Sequence, residues 1–412
     1  MNNYLLIVSS LNRGGIENYF IQLATALYAN GNTVTILALS DQYEPELKIK
    51  AEKVSRVISL KLVTRNFCFP DRATLNLLFG LNKGKVLSEF GDIDRIIAPS
   101  SYALVVANAI NDVRVHKCDI VAGVYHSREF TWNTNRYHRR VERALFSNAL
   151  SCGKVHVYGK ELLRELFNEY GLEFREINTF PLGVDLEQND VKIGSYHSRN
   201  IVIIARFVKF KSYIYHFIEN FAKLLELDSN FRLKIYGYGP EKERYEKIIS
   251  SNNLDQYVEL KSPIELSDFK NVLRNCLCFV GGGTALLHAA SLGIPCIVGL
   301  DNNPDITSPG FFSNIKVDAY NELTSYASEE LSNTINIIDE LISLSKDSYE
   351  QLSMEHVNKS RKFNVIDNVR YFNLLFTEKN KQKKIQFSII RYSLSFLFSR
   401  FDRRFINRFD RL

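Results

Sequence analysis

The sequence predicts an α/β protein made of two doubly wound parallel sheets in series, Rossmann-like and facing across a cleft, with a basic amphipathic helix at the C-terminal end. Three observations predict it. The chain has 412 residues, more than one ordinary hydrophobic core holds. Short apolar runs alternate with segments of helical period, twice over. A polar stretch from Gly183 to Arg199, GVDLEQNDVKIGSYHSR, has no periodicity and separates the two sets. The predicted division is 1–185 for an N-terminal domain and 196–365 for a C-terminal one. A helix over 366–378 is predicted to return to the first domain, and 379–412 forms the tail.

In the first set, YLLIVSS reads as a buried strand and Leu11 to Gly15 as a loop. Ile16, Phe20, Leu23, Ala24 and Leu27 then fall at helical spacing, and Gly31 ends that helix before the strand TVTILAL. The alternation continues through RVISL, RIIAP and DIVAGVYH, and KVHVYG with a strand near INTFP closes the half. The second set runs NIVIIAR, a helix through Phe217 to Leu227, FRLKIYG, a helix from Glu241, YVEL, a helix from Ser267, CLCFV, a helix from Thr284, and PCIVGL. From Ser328 to about 377 the pattern is helical.

Composition narrows the classes. Apolar residues make up 45% and charged residues 24%, an ordinary globular balance. The start, MNNYLLIVSSLNRGG, lacks a basic n-region, and no window reaches the ~18 apolar residues of a spanning helix, so a cytoplasmic location is expected. Cys68, Cys118, Cys152, Cys276, Cys278 and Cys296 form no C-x-x-C pair and are expected as buried free thiols, with Cys276 and Cys278 on one face of a strand. No metal site is expected. Net charge is +6, yet Lys379 to Leu412 alone carries ten Lys/Arg against two Asp. The rest of the chain is nearly neutral, which argues against a nucleic-acid binder.

Candidate functional residues lie where strands end. Arg206 and Lys211 follow NIVIIA, and two cations there suit an anion such as a diphosphate, Arg as a fork and Lys as a point charge. Lys209 adds a third charge, so a solvated basic loop is the bland alternative. Gly281, Gly282 and Gly283 follow CLCFV, with Thr284 able to cap the next helix; their bare N–H groups make an anion site. His288, one turn on, is placed on the cleft face to bond a ribose or sugar hydroxyl, or else packs as a core histidine. His126 follows DIVAGVY and is expected to position sugar or acceptor, or to move a proton. Gly14 and Gly15 allow close backbone approach, or merely form a turn; without G-x-G-x-x-G they do not signal a dinucleotide. Gly237 to Glu241, GYGPE, reads as an architectural turn.

Together these segments resemble the GT-B-fold glycosyltransferases, in particular the retaining glycosyltransferase family 4, over roughly 4–376. GGIENYFIQLATALYANGNTVTIL resembles the family's G-G-x-E opening, and PLGVD at Pro181 to Asp185 its N-G-V-D marker. ARFVKFKS resembles G-R-x-x-x-x-K-G, IYGYGPEKERYEKII the strand-G-x-G-P element, and LLHAASLGIPCIV the L-L-E-A-x-x-x-G-x-P motif. YVELKSPIELSDFKNVLRNC resembles the stretch whose backbone, near Leu260 to Pro263, meets the base. The resemblance implies transfer of a sugar from a nucleoside diphosphate sugar to an acceptor hydroxyl, with retention and without a metal or other cofactor. It also implies that Arg206 and Lys211 hold the donor diphosphate. One departure stands out. Aligned on Gly293 and Pro295, the family's two glutamates fall at Val280 and His288. A non-catalytic binding or scaffold subunit, and more remotely a sugar-nucleotide epimerase, remain the alternatives.

In the tail, Leu394, Phe398, Phe401, Phe405 and Phe409 fall three or four apart, beside Arg400, Arg404, Arg408 and Arg411. That pattern is a basic amphipathic helix suited to an anionic inner leaflet, and a membrane position suits a lipid-linked glycan acceptor in surface polysaccharide (O-antigen or capsule) synthesis. The alternative is a helix that docks on the body or on a partner protein. A tail of its own would leave the body folded when deleted.

Overall fold

A computed structural model describes the chain apart from 13, 67–68, 70–72, 126–128, 131–134, 160–178, 187–193, 318–319, 378–381 and 410–412, and apart from the side chains of 71–74 and 400–412. The chain divides into two units, Met1–Leu182 with Val365–Leu412, and Gly183–Asn364.

Unit 1 begins β1 (Asn3–Val8), α1 (Gly15–Ala29), β2 (Thr33–Ala38), α2 (Pro45–Glu52) and β3 (Arg56–Ser59). It continues α3 (Lys83–Phe90), β4 (Arg95–Ala98), α4 (Ser101–Val113), β5 (Asp119–Val124), α5 (Tyr137–Ser151) and β6 (Val155–Val157). The strands pair in parallel in the order β3-β2-β1-β4-β5-β6. Strands buried on both faces read as continuous apolar runs, which is why YLLIV and TILA are legible in sequence. Of the expected strand near INTFP, Ile177 and Asn178 lie outside the described residues, and Thr179 makes a bridge to Val157.

Unit 2 holds β7 (Asn200–Ile204), α6 (Ser212–Glu219), α7 (Phe221–Leu227), β8 (Arg232–Tyr236), α8 (Lys242–Ser251) and β9 (Val258–Lys261). Then come α9 (Phe269–Leu273), β10 (Cys278–Gly281), α10 (Gly283–Ser291), β11 (Cys296–Val298), β12 (Thr307–Ser308), β13 (Ser332–Asn333), α11 (Thr334–Ile342) and α12 (Lys346–Ser360). Its main sheet is parallel in the order β11-β10-β7-β8-β9, and β12 and β13 form a separate antiparallel pair. The helix expected through Phe217 to Leu227 breaks at Asn220, whose amide donates to the His216 carbonyl at 2.9 Å and competes with the backbone ladder. The expected helical stretch from Ser328 starts only at Thr334, where the Asn333 side chain caps α11.

The last helices belong to unit 1: α13 (Val365–Thr377) and α14 (Ile389–Phe409). Val365, Val369, Phe372 and Phe376 of α13 join the core formed by β1 and α1. The first half of α14 is docked rather than free. Tyr392 is wholly buried, its hydroxyl donates to Glu142 Oε1 at 2.5 Å, and burial raises the Glu142 pKa. Ser395 Oγ lies 2.9 Å from His138 Nδ1, and the Phe396 ring lies 5.8 Å from Tyr102. The expectation of a tail separable from the body is therefore corrected for this half. The phenylalanine row dominates the sequence pattern, whereas Tyr392 and Phe396 face the body from another side of the helix.

Cys118 is partly buried and Cys152, Cys276, Cys278 and Cys296 are buried, all as free thiols; Cys68 lies outside the described residues. Cys276 and Cys278 do not share a face. Cys278 packs with Tyr213 and Val280, Cys276 with Phe279 and Leu273. The strand starts only at Cys278, so its alternation does not reach Cys276, which closes the turn after α9.

Candidate nucleotide-sugar site

The order of the unit 2 sheet puts β7 between β8 and β10, so the chain leaves neighbouring strands β7 and β10 where the winding reverses. Ligands of open α/β sheets bind outside the carboxyl ends of strands at this point. Arg206 and Lys211 lie in the loop after β7, and Gly281 to Gly283 after β10.

The first loop is fixed by its neighbour. Phe207 is fully buried; its N–H donates to the Tyr238 carbonyl at 2.7 Å and its own carbonyl accepts from Glu241 N–H at 3.0 Å. Close approach makes Gly237 and Gly239 necessary: a Cβ on Gly237 would strike the Ala205 carbonyl, and one on Gly239 the Phe207 carbonyl. The G-Y-G-P turn is thus a clasp on the loop that carries Arg206. Arg206 itself is exposed, and among the described residues no carboxylate pairs with it.

Lys211 is held from beneath. Its Nζ lies 3.5 Å from Asp301 Oδ1 and 5.6 Å from the Tyr213 ring centre. Asp301 Oδ2 accepts from the Asn321 amide at 3.0 Å, while Oδ1 has no hydrogen-bond donor. Tyr213 is buried, and burial pushes its hydroxyl pKa well above the usual value. Its ring fills the space left by Gly299, where a Cβ would come within 2.7 Å of it. Its hydroxyl lies 3.6 Å from where a Gly281 Cβ would stand. Lys211 and the glycine turn therefore both lie against one tyrosine.

The glycine turn is short. Gly281 ends β10, Gly282 is the N-cap and Gly283 opens α10 with φ +65°, a conformation that favours glycine. Thr284 does not cap, contrary to expectation. The helix starts one residue early, and no side chain closes its N-terminus, so its first N–H groups remain available to an anion.

The structure corrects the placement of His288 on a cleft face. It is 8% exposed, its ring sits edge-on to Phe269 at 5.8 Å, and burial lowers its pKa to about 4. Val280 lies inside β10 at 2% exposure. The strand runs straight into the helix, leaving no loop at that point to carry a carboxylate. Leu260 is partly buried on β9, the edge strand of the sheet.

In unit 1, Gly14 is the uncapped N-cap of α1, and Gly15 is its first residue; the Glu17 carboxylate folds over Gly14. His126 lies outside the described residues. Beside it in sequence, Tyr125 donates to His156 Nδ1 at 3.0 Å, and His156 Nε2–H donates to the Phe180 carbonyl at 2.9 Å. Burial lowers the His156 pKa to about 4. At the unit 1 switch point Ser100 Oγ accepts from Ala103 N–H at 3.2 Å and Glu129 Oε1 from Ser101 N–H at 2.8 Å, which closes the start of α4. Sequence reasoning missed Tyr213, Asp301, Asn321 and Glu129. The one available signal was that Asp301 follows PCIVGL at another strand end.

Comparisons with known proteins bear on the family and the fold. Residues 13–188 match the Glycosyltransferase Family 4 model, and residues 185–305 match Glycosyl transferases group 1. No curated protein matches the chain. Among solved structures, a TarM mutant from S. aureus, in complex with Fondaparinux, alpha-GlcNAc-glycerol and UDP, aligns with TM-score 0.64 at 12% identity, over 92% of this chain and 100% of its own. HepE from Anabaena, in complex with UDP-glucose, aligns with TM-score 0.61 at 14% identity, over 90% and 98%. The lipopolysaccharide outer core galactosyltransferase WaaB aligns with TM-score 0.56 at 13% identity, over 91% and 99%. The chain belongs to the glycosyltransferases with a GT-B fold, family 4 matching residues 13–188 and group 1 residues 185–305.

Proposed function

We propose that this glycosyltransferase moves a sugar, with retention, from a nucleoside diphosphate sugar to a hydroxyl of a lipid-linked glycan, in O-antigen or capsule synthesis. The observation that carries the donor half is the uncapped start of α10 on the strand next to the one that carries Arg206 and Lys211. Bond breaking leaves negative charge on the diphosphate. Arg206, Lys211 and the first N–H groups of α10 take up that charge as it develops, without reorganising. Asp301 and Tyr213 hold the Lys211 ammonium in place beforehand. Gly14 and Gly15, at the start of α1, contact the transferred sugar once the Glu17 carboxylate moves aside, and His126 positions sugar or acceptor. His288 is held neutral by burial against Phe269. HepE bound to UDP-glucose and TarM bound to UDP support a uridine donor, and WaaB supports a lipopolysaccharide-type acceptor. The basic C-terminal segment supports a place on the inner face of the plasma membrane.

A thermal-shift panel of nucleotide-sugars tests the donor, because a ligand at 100 times its dissociation constant adds about 2.7 kcal/mol. No shift with any member would overturn the donor reading. A second reading, a binding subunit without turnover, is favoured by Val280 standing buried where the family carries a glutamate. Donor binding without hydrolysis or transfer would select it.

A further inference from the structure

Unit 1 carries a recess that the sugar-transfer chemistry does not use. It encloses about 490 Å³, and its walls come from the start of α3, the end of α4 and the segment leading into α14. Three cations stand around it: Arg65, Lys83 and Lys384. One carboxylate, Asp112, opposes them and pairs with Lys384 at 2.8 Å. Arg65 is oriented by its Nε–H, which donates to the Leu81 carbonyl at 3.1 Å. Its terminal guanidinium nitrogens, and the whole Lys83 ammonium, have no carboxylate partner among the described residues. The remaining wall includes Ser388, whose N–H donates to the Tyr137 hydroxyl at 3.1 Å and whose Oγ accepts from Arg391 N–H at 3.3 Å, and Ile389 and Ile390, the first residues of α14, whose N–H groups lack intrahelical acceptors.

The recess is continuous with an apolar row. Ile390 lines it at 42% exposed, followed one turn apart along α14 by Leu394 at 43% and Phe398 at 62%. Tyr392 and Phe396 lie about 200° around the helix from Ile390 and Leu394, and they pack on the body. One side of this half-helix is therefore seated in unit 1, while the other side keeps large apolar side chains in water.

We infer that this recess seats the head-group phosphate of an anionic phospholipid, with Ile390, Leu394 and Phe398 entering the acyl boundary beside it. A phosphate takes charge-assisted hydrogen bonds from Arg65 and Lys83 and lies at the N-terminal end of the α14 dipole. The adjoining apolar row suits the boundary between head groups and chains. A soluble phosphate would use the cations but leave the row unexplained; a bilayer uses both. The assignment rests on the membrane reading above and narrows it to named residues on the docked half of the helix.

The test is cosedimentation of the full chain with vesicles of phosphatidylcholine alone, or mixed with phosphatidylglycerol, at low and high salt. Lys83→Glu is the main variant, because Lys83 is exposed and, among the described residues, its ammonium makes no ion pair. It should lower partition onto phosphatidylglycerol vesicles at least about fivefold, and Arg65→Gln about fivefold. Leu394→Ser with Phe398→Ser should weaken binding at both salt concentrations, and all three should melt within a few degrees of the parent. Excess inorganic phosphate competes for Arg65 and Lys83 but not for the apolar row, so it should lower vesicle binding no further than Lys83→Glu does. Wild-type partition by Lys83→Glu and Arg65→Gln overturns the assignment, as does failure of the parent to prefer phosphatidylglycerol, or complete displacement by phosphate where an equal ionic strength of chloride displaces only part. Donor hydrolysis without lipid is measured on the same samples. Its absence together with the expected vesicle pattern would remove the sugar-transfer reading and leave this one standing; normal hydrolysis with unchanged vesicle binding does the reverse.

Discussion

The two units share a winding rule and treat its switch point in opposite ways. In each, the first strand of the sheet lies between its successor and a strand that arrives later, β1 between β2 and β4, β7 between β8 and β10. In unit 1 the helix after the later strand is closed by the protein itself, through Ser100 Oγ and the Glu129 carboxylate. In unit 2 the corresponding helix has no side-chain cap and begins with glycine. An unmade cap costs about 1 kcal/mol, and unit 2 accepts that cost where an anion can make the missing bonds. The same topology thus yields a closed helix start after the later strand in one unit and an open one in the other, because chemistry resides in the strand-end loops rather than in the fold.

The largest effect expected bears on unit 1 as a folded body. Tyr392→Ala removes a fully buried ring and one of the two side-chain partners of Glu142, which keeps Arg139 at 2.7 Å, so it should destabilise unit 1 by about 3–5 kcal/mol. Denaturant melts that follow the units separately check this, and an unchanged unit 1 transition would mean that α14 is not part of its core. Next, Arg206→Ala or Lys211→Ala should cut donor turnover on the order of a hundredfold while unit 2 still folds. Near-normal turnover in both would erase the contrast drawn between the two switch points.

A pH titration touches both units alike. Burial holds His156 in unit 1 and His288 in unit 2 at about 4, below the ordinary 6.5. Between those values the unfolded chain binds more protons than the folded one, so stability is lost as pH falls. The loss should be roughly 2 kcal/mol per imidazole between about pH 7 and about pH 5. His156→Gln should flatten the slope of unit 1 and leave that of unit 2, and His288→Gln the converse. If both slopes survive, other groups govern acid sensitivity. The smallest effect sharpens the contrast itself. Ser100→Ala should cost unit 1 about 1 kcal/mol and leave nucleotide-diphosphate affinity unchanged, read by calorimetry beside a melt.

The candidate site was legible wherever its parts are local in sequence. NIVIIA followed by Arg206 and Lys211, and CLCFV followed by three glycines, combine a buried strand with an unusual strand end within about ten residues each. Lys211, Asp301 and Asn321 meet across 90 and 20 residues of chain, and no short motif records that meeting. Thr284 and His288 were misplaced for a related reason. Helical spacing says which residues share a face, while the neighbours of that face, here Phe269, are set by packing.

Sequence by itself determined two parallel sheets, the strand ends that carry cations and glycines, and the concentration of positive charge after Lys379. These follow from periodicity, backbone freedom and charge, all properties of short segments. Only the tertiary structure decided that Gly237 and Gly239 clasp the Arg206 loop, that His288 is buried, and that half of α14 is seated on Glu142 and His138. An amphipathic helix presents more than one side. Which side is buried depends on what the rest of the chain leaves uncovered, and that is fixed only when distant segments pack.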